Sequence, residues 1–388
     1  MGKSSELMPK IDRVSIFDRN EEFASYAFET RAVDVGNYSG RSSMPIYASV
    51  TGEDYARNGE KSRDALATLI ASLEHAKYCL PTASGVSSVT LPLLALLKNG
   101  DRIICHKDLY IWSYFFVRED LPRLVNAQVE MVDLCDLDAL EAALKAGKTK
   151  MVVMETIANP LLNVADIEAV CKLAHSYGAL VIVDNTFASP YLCRPLDLGA
   201  DISSESLTKY MNGHGDALGG SISTNSHEIY YELQRMMGVI GCCLSPFNSF
   251  LIMRGLQTLA VRMESHCDHA ERIVEYLRNH DHVIDLTYPG MKEHPQYETA
   301  RKELKRFGGI VCFRIDASHE DLYEKFMPAL KLWKHWVSLG EPHSLISPKD
   351  EDKEKGIPAD YIRLAIGLED PDDLIADMEK GFKNVYGE

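Results

Sequence analysis

The chain has 388 residues, with 41 Lys and Arg against 57 Asp and Glu, so its formal net charge at pH 7 is −16. This length predicts a large domain plus a smaller one, and the negative charge argues against nucleic acid as a partner because its phosphates would be repelled. No apolar run reaches membrane length, no signal-peptide pattern opens the chain, and nine cysteines without regular spacing favour reduced thiols. We therefore expect a cytoplasmic protein without a membrane partner.

The first fifty residues are predicted to form an irregular polar arm, within an N-terminal segment 1–58. The segment 59–244 opens with helical spacing of apolar residues between Lys61 and Lys77. Short apolar strands then alternate with amphipathic stretches such as Leu137–Leu144 and Ala165–Tyr177. The predicted strands are Arg102–Cys105, Val129–Val132, Lys150–Met154 and Leu180–Asp184. This alternation predicts an α/β fold with a mostly parallel sheet covered by helices on both faces.

The segment 245–388 is predicted to be a smaller α/β domain that closes over the ligand. It opens with a helical pattern up to about Leu277, continues with a strand at Gly309–Ile315, and ends with a helix near Asp372–Phe382. The charged run Lys349–Gly356 is interpreted as a solvated loop.

One lysine stands among small hydroxyl residues, in the sequence Ser206-x-Thr208-Lys209-Tyr210. Taken alone, Lys209 is most simply a surface lysine, but here its amine can form a Schiff base with an aldehyde cofactor while the two hydroxyls hold a phosphate. Asp184 ends an apolar strand pattern upstream. It could be a simple strand-end cap, yet pyridoxal phosphate requires an acid beside its ring nitrogen. The pattern predicts a pyridoxal 5'-phosphate site.

The turn Ser84-Gly85-Val86 precedes a helical stretch. Backbone amides at such a helix start point towards an anion, and glycine permits close approach; a turn without a ligand is the alternative. His266 and His269 are three residues apart but lack a third ligand, so we interpret them as structural and predict no metal.

These motifs together resemble the Cys/Met-metabolism (trans-sulfuration) family of enzymes that depend on pyridoxal phosphate, whose fold is the fold-type I transferase fold. The similarity runs from about residue 42 to the C-terminus. Further matching pieces are Tyr55-Ala-Arg57, Glu155-Thr156-x-x-Asn159-Pro160, Asp184-Asn-Thr186, Ser245-Pro-Phe247, Tyr288-Pro-Gly290, Phe307-Gly-Gly309, Ser338-Leu-Gly340 and Ile362-Arg363-Leu364.

The resemblance implies a role for each matching residue. Tyr110 would stack on the cofactor ring and carry protons, and Arg363 would bind the substrate α-carboxylate, assisted by Ser338 and Asn159. Tyr55 and Arg57 would reach the cofactor phosphate of a neighbouring subunit. The expected assembly is a homo-oligomer with shared sites, a dimer or a tetramer of two dimers.

The sequence departs from the family pattern around the substrate. Glu60-Lys61-Ser62 replaces the usual Asn-Pro-Thr, and the stretch before Tyr55 is short. Tyr110-Ile111-Trp112-Ser113 replaces a Tyr-Gly-x-Thr pattern, which puts an indole near the substrate, and the charged run replaces a Met-Thr-His loop. Val337 precedes Ser338, where cystathionine-handling members commonly have glutamate. These features resemble methionine γ-lyase and O-acetylhomoserine sulfhydrylase, with a diverged substrate pocket.

The predicted reaction is γ-elimination, or γ-replacement, on a small γ-substituted L-amino acid, in the manner of methionine γ-lyase. One alternative is a specialised biosynthetic enzyme that expels an acyl group or a halide, or joins a nucleophile at Cγ. A further alternative is a cystathionine γ- or β-lyase. A paralogue that binds the cofactor without catalysis is disfavoured, because Tyr110, Asp184, Lys209 and Arg363 are all retained.

Overall fold

The structure is a computed structural model that describes residues 13–18, 20–52, 55–353 and 356–387. Within these ranges the chain forms eleven strands in two sheets. The strands are β1 (Tyr78–Thr82), β2 (Arg102–His106), β3 (Gln128–Val132), β4 (Thr149–Glu155), β5 (Leu180–Asp184), β6 (Ile202–Glu205), β7 (Gly220–Thr224), β8 (Val283–Thr287), β9 (Ile310–Ile315), β10 (Leu345–Lys349) and β11 (Tyr361–Ala365).

Helices surround both sheets. They are α1 (Asn20–Phe23), α2 (Phe28–Asp34), α3 (Lys61–Leu73), α4 (Gly85–Leu96), α5 (Ile111–Phe115), α6 (Leu121–Val125), α7 (Leu137–Ala146), α8 (Ile167–Ser176), α9 (Ser189–Leu192), α10 (His227–Ile240), α11 (Pro246–Leu256), α12 (Leu259–Arg278), α13 (Tyr297–Glu303), α14 (His319–Asp321), α15 (Met327–Ala329) and α16 (Pro371–Tyr386). Among the described residues, none of these helices is both long and apolar enough to cross a membrane.

The large sheet has the strand order β1-β7-β6-β5-β4-β2-β3, in which β7 alone runs antiparallel to its neighbours. The central strand β5 is apolar along its length, as expected for a strand that helices cover on both faces. The carboxyl ends of β1, β2, β4, β5 and β6 share one edge of the sheet, where open α/β sheets bind their ligands.

The small sheet has the order β10-β11-β9-β8 and is antiparallel throughout. Its face packs against α12 and α16 in a second hydrophobic cluster, separate from the cluster of the large sheet. The two clusters meet within α12: Leu259 and Met263 belong to the first, and Ile273 and Leu277 to the second. The boundaries at 58 and 244 stay a prediction.

The fold-type I α/β class is confirmed, and several local predictions need correction. The first fifty residues are not wholly irregular, because α1 and α2 form there and Ala32 is buried in the first cluster. The pattern that ends near Leu277 is two helices, interrupted at Gln257 and Thr258. The charged run is not all loop, since Lys349 is the last residue of β10; its residues 354 and 355 lie outside the described part.

Candidate active site

A cavity of about 500 Å³ opens at the carboxyl edge of the large sheet and extends to the small sheet. It collects twelve of the fourteen residues that the sequence predicts for the site. These are Gly85, Val86, Tyr110, Trp112, Asn159, Asp184, Ser206, Thr208, Lys209, Val337, Ser338 and Arg363.

One end of the cavity is built around the start of α4. Ser84 caps this helix, and its hydroxyl accepts from the Ser87 amide at 3.2 Å. The amides of Gly85 and Val86 therefore begin a helix and have no partner within it. A Cβ at position 85 would lie 2.5 Å from the Ser206 Cβ, so only glycine lets the two segments approach this closely. This end has the form of a phosphate cradle.

Lys209 follows β6 and extends its amine across the cavity to the small-sheet side. Its Nζ donates to the Ser338 Oγ at 2.8 Å. Gly340, at φ +75°, makes this contact possible, because a Cβ there would lie 2.5 Å from the Tyr210 amide nitrogen. Burial lowers the pKa of Lys209, and the Arg363 guanidinium lowers it further. A larger share of its amine is therefore neutral than for an ordinary lysine.

Asp184 ends β5 and lines the cavity floor. Its Oδ1 accepts from the Thr186 amide at 3.0 Å, and burial raises the pKa of its carboxyl. A cationic ring nitrogen bound beside it would reverse that effect and stabilise the carboxylate.

Glu155, at the end of β4, orders two cavity residues. One carboxylate oxygen accepts from the Tyr110 amide and the other accepts from the Asn159 amide, the latter at 3.2 Å. Burial raises the pKa of the Tyr110 phenol, which keeps the hydroxyl protonated. Glu155 belongs to one of the matching motifs, but its contacts could not be predicted from spacing.

Arg363 lies on β11 with both terminal nitrogens engaged. It donates to the Asn159 Oδ1 and to the Ser338 carbonyl oxygen, each at 2.9 Å. Its Nε is buried without a hydrogen-bond partner. A planar guanidinium held in this way can present a fork to a carboxylate that enters the cavity.

Two predicted residues lie elsewhere. Tyr55 and Arg57 are exposed and do not line the cavity of their own chain, and the Arg57 guanidinium lies 5.0 Å from the centre of the Tyr55 ring. Sequence reasoning missed Lys349, which lines the cavity from β10. The strand was hidden there by Pro348 and by the charged residues that follow.

A group of three potential metal ligands lies away from the cavity. The ligand atoms of His106, Asp133 and Cys135 are within 4.8 Å of one another. Asp133 already accepts from the Lys107 amine at 2.6 Å and from the Cys135 amide at 3.0 Å. These bonds account for the arrangement without an ion. His266 and His269 each bond a backbone carbonyl oxygen, that of Ile366 and that of Gly367.

Comparison with known proteins identifies the family. The family model described as Cys/Met metabolism PLP-dependent enzyme matches residues 24–383. This chain belongs to that family. A cystathionine γ-lyase from Dictyostelium discoideum is 42% identical, covering 84% of this chain and 86% of that protein. An L-methionine γ-lyase from Fusobacterium nucleatum subsp. polymorphum is 36% identical, covering 94% and 100%.

A solved structure of cystathionine gamma synthase from Xanthomonas oryzae pv. oryzae, in complex with cystathionine, superposes with a TM-score of 0.90. It is 32% identical and covers 93% of this chain and 99% of that one. As a member of the family, this chain is an enzyme that depends on pyridoxal phosphate. Its cavity fits the cofactor, because the cradle at Gly85, the acid at Asp184 and the amine of Lys209 lie around one space.

Proposed function

We propose that this enzyme catalyses γ-elimination, or γ-replacement, on a small γ-substituted L-amino acid, in the manner of methionine γ-lyase. The observation that carries the proposal is the position of Lys209. Its amine is held by Ser338 in the same cavity as Arg363 and Asp184, and the pKa of the amine is lowered. A base, a carboxylate site and an acid for the ring nitrogen thus surround one substrate.

Pyridoxal phosphate, when bound, supplies an electron sink for the electrons released at the substrate Cα. The residues of the chain would bind the substrate and transfer its protons. Arg363 binds the α-carboxylate, which fixes Cα beside Lys209. The Lys209 amine removes the Cα proton and moves protons between Cα and Cβ, while the Ser338 hydroxyl holds the amine in place. The Tyr110 hydroxyl would carry a proton to the leaving group at Cγ.

Val337 supports a substrate without a distal amino acid group. It lines the cavity where cystathionine-handling members commonly have glutamate, and 76% of its surface is exposed. The Trp112 indole, at the same opening, favours a compact γ-substituent. The same features at Val337 and Trp112 also support the specialised alternative. That enzyme would expel an acyl group or a halide, or join a nucleophile at Cγ. The cystathionine lyase alternative rests on the name of the Dictyostelium relative.

The test is a visible spectrum of the purified enzyme, followed by a panel of amino acids. The panel contains methionine, homocysteine, cystathionine, O-acetylhomoserine and a γ-chloro amino acid, with keto acids identified by mass. We expect a spectral shift and 2-oxobutanoate from at least one compound. A shift without a keto acid would indicate γ-replacement, and pyruvate would indicate β-elimination. A protein that gains no visible band with added cofactor contradicts the proposal.

We also propose that the enzyme is a homo-oligomer with shared sites. Tyr55 and Arg57 are exposed outside the cavity of their own chain, which supports a role at the cofactor phosphate of a neighbouring chain. A dilution series that follows activity and molecular mass together tests this. Activity should fall as the oligomer dissociates; a fully active monomer would overturn the assembly proposal alone. Dimer and tetramer are distinguished by the mass at high concentration.

A further inference from the structure

The cavity contains a second cation that the proposed mechanism does not use. Lys349, at the end of β10, lines the cavity together with Arg363. In the pairing of β10 with β11, Ser347 lies opposite Arg363 and Lys349 lies opposite Tyr361. Because side chains alternate along a strand, Lys349 and Arg363 stand on the same face of the small sheet.

We infer that Lys349 is a specificity-determining residue that binds a second negative charge, a carboxylate or phosphate carried on the γ-substituent of the substrate. This inference rests on the proposed function, because it assigns Arg363 to the α-carboxylate. It narrows the substrate class from small γ-substituted amino acids to those with an anionic substituent.

The distances fit such a substrate. Positions two residues apart along a strand lie about 7 Å apart, so Lys349 and the position facing Arg363 are separated by that length. An extended six-carbon amino acid with a carboxylate at each end has a similar span.

The Lys349 ammonium is available for an incoming anion. Among the described residues, the Lys349 ammonium donates to the Ser347 Oγ at 2.8 Å, which leaves two of its three protons for other acceptors. In the part of the chain that the structure describes, no carboxylate forms an ion pair with it. Asp352 and Ile357, whose backbones pair, also line the cavity.

A half-buried lysine is a stronger anion site than an exposed one, because less water competes for its protons. The same burial limits the pH range over which Lys349 is charged. Burial and the Arg363 guanidinium lower the pKa of Lys349 to about 8, against opposing effects of Cys312 and Asp350. Burial raises the pKa of the Cys312 thiol to about 12 and also raises that of the Tyr361 phenol. Both groups therefore stay neutral while Lys349 titrates.

The test uses two unreactive ligands with the same number of carbons. L-norleucine ends in a methyl group and L-2-aminoadipate ends in a carboxylate. Their dissociation constants are measured from the visible spectrum of the holoenzyme, so no turnover is required. We expect wild-type enzyme to bind L-2-aminoadipate about tenfold to a hundredfold more tightly than L-norleucine at pH 7. Since the pKa of Lys349 is about 8, its charge and this preference should decline between pH 7 and pH 9.

Three variants complete the experiment. Lys349→Met should abolish the preference and leave norleucine affinity unchanged, and Lys349→Arg should retain it. Lys353→Met removes an exposed lysine of the same segment and should change neither constant. Equal affinities in the wild type, or a preference that survives in Lys349→Met, would overturn the inference alone. So would equal weakening of both ligands, which would place Lys349 at the α-carboxylate. A spectrum that responds to neither ligand contradicts the proposed function as well.

Reaction rates distinguish the two anions. O-acetyl-, O-succinyl- and O-phospho-L-homoserine share the homoserine skeleton, and only the last two carry a distal charge. Loss of kcat/KM in Lys349→Met for the succinyl ester alone identifies a carboxylate, and loss for the phosphate ester alone identifies a phosphate. An equal loss for all three, including the neutral acetyl ester, contradicts the inference.

Discussion

The two sides of the cavity differ in how far their residues keep the family pattern. The proposed cofactor wall, formed by Gly85, Asp184, Ser206, Thr208 and Lys209, keeps the residues that the sequence resemblance assigns to the cofactor. The proposed substrate wall, formed by Trp112, Val337, Lys349 and Asp352, lies in segments where the sequence departs from that resemblance. The same cofactor must be held in one way whatever the reaction, whereas the substrate wall is free to change with the molecule that enters. The difference indicates retained chemistry applied to an altered substrate.

The largest expected effect is at the amine of the cofactor wall. Lys209→Ala removes the base that moves protons at Cα, so kcat should fall by about 1,000-fold or more. Among the described residues the Lys209 side chain hydrogen-bonds to Ser338, a single contact, so far-UV circular dichroism should be unchanged. Keto acid release measures the rate, and Lys98→Ala, at an exposed lysine, is the control. Activity above a few per cent of wild type would mean that another group serves as the base.

Arg363 differs from both walls. It is retained from the family pattern, as the cofactor wall is, but its proposed ligand is the substrate. Arg363→Lys keeps the charge and loses the planar fork and the bonds to Asn159 and Ser338. We expect kcat/KM to fall by about tenfold to a hundredfold, mostly through KM, because charge-assisted bonds are lost. Steady-state kinetics with each reactive amino acid measures it. An unchanged KM would show that Arg363 does not bind the α-carboxylate.

Gly85 tests how rigid the cofactor wall is. In Gly85→Ala the new Cβ would lie 2.5 Å from the Ser206 Cβ, so one of the two segments must move. Overpacking of this kind costs about 1–3 kcal/mol, and we expect weaker cofactor binding. Titration of the cofactor-free protein with pyridoxal phosphate measures it. Gly147→Ala, where the added Cβ would make only an ordinary contact with the Arg102 Cδ at 3.7 Å, is the matched control. Equal cofactor affinities in the two variants would show that the segments of Gly85 and Ser206 move apart without loss of cofactor binding.

The smallest expected effect is at the opening of the substrate wall. The Trp112 side chain lines the cavity but is 60% exposed, so Trp112→Ala should widen the range of accepted γ-substituents by a few-fold in kcat/KM. Trp336→Ala, at an equally exposed tryptophan that does not line the cavity, is the control. An unchanged order of substrates in Trp112→Ala would remove the argument for a compact substituent.

The sequence predicts the cofactor wall better than the substrate wall, for a physical reason. Asp184 follows an apolar strand and Lys209 follows the next one, and parallel strands bring such residues to one edge wherever the rest of the chain goes. Lys349 has no such signal. Its strand is antiparallel, contains Pro348, and runs directly into charged residues. Only the pairing with β11 places it beside Arg363.

The same distinction explains the elements that were predicted and those that were not. The strand β5 has a continuous apolar run from Leu180 to Val183, so it was predicted at its observed bounds. The strand β7 has the sequence Gly-Ser-Ile-Ser-Thr, with little apolar character, and is nevertheless buried throughout. Its hydrogen bonds to β1 and β6 stabilise it, and these are contacts between distant parts of the chain.

The helix α12 bears on how the enzyme could select its substrate. One continuous helix of 20 residues packs into the first hydrophobic cluster with its beginning and into the second with its end. A hinge motion between the two sheets would have to bend α12 or break the apolar contacts at one of its ends. A large closing motion between the two sheets is therefore disfavoured, and we expect discrimination between substrates to depend on the short segments at the cavity opening.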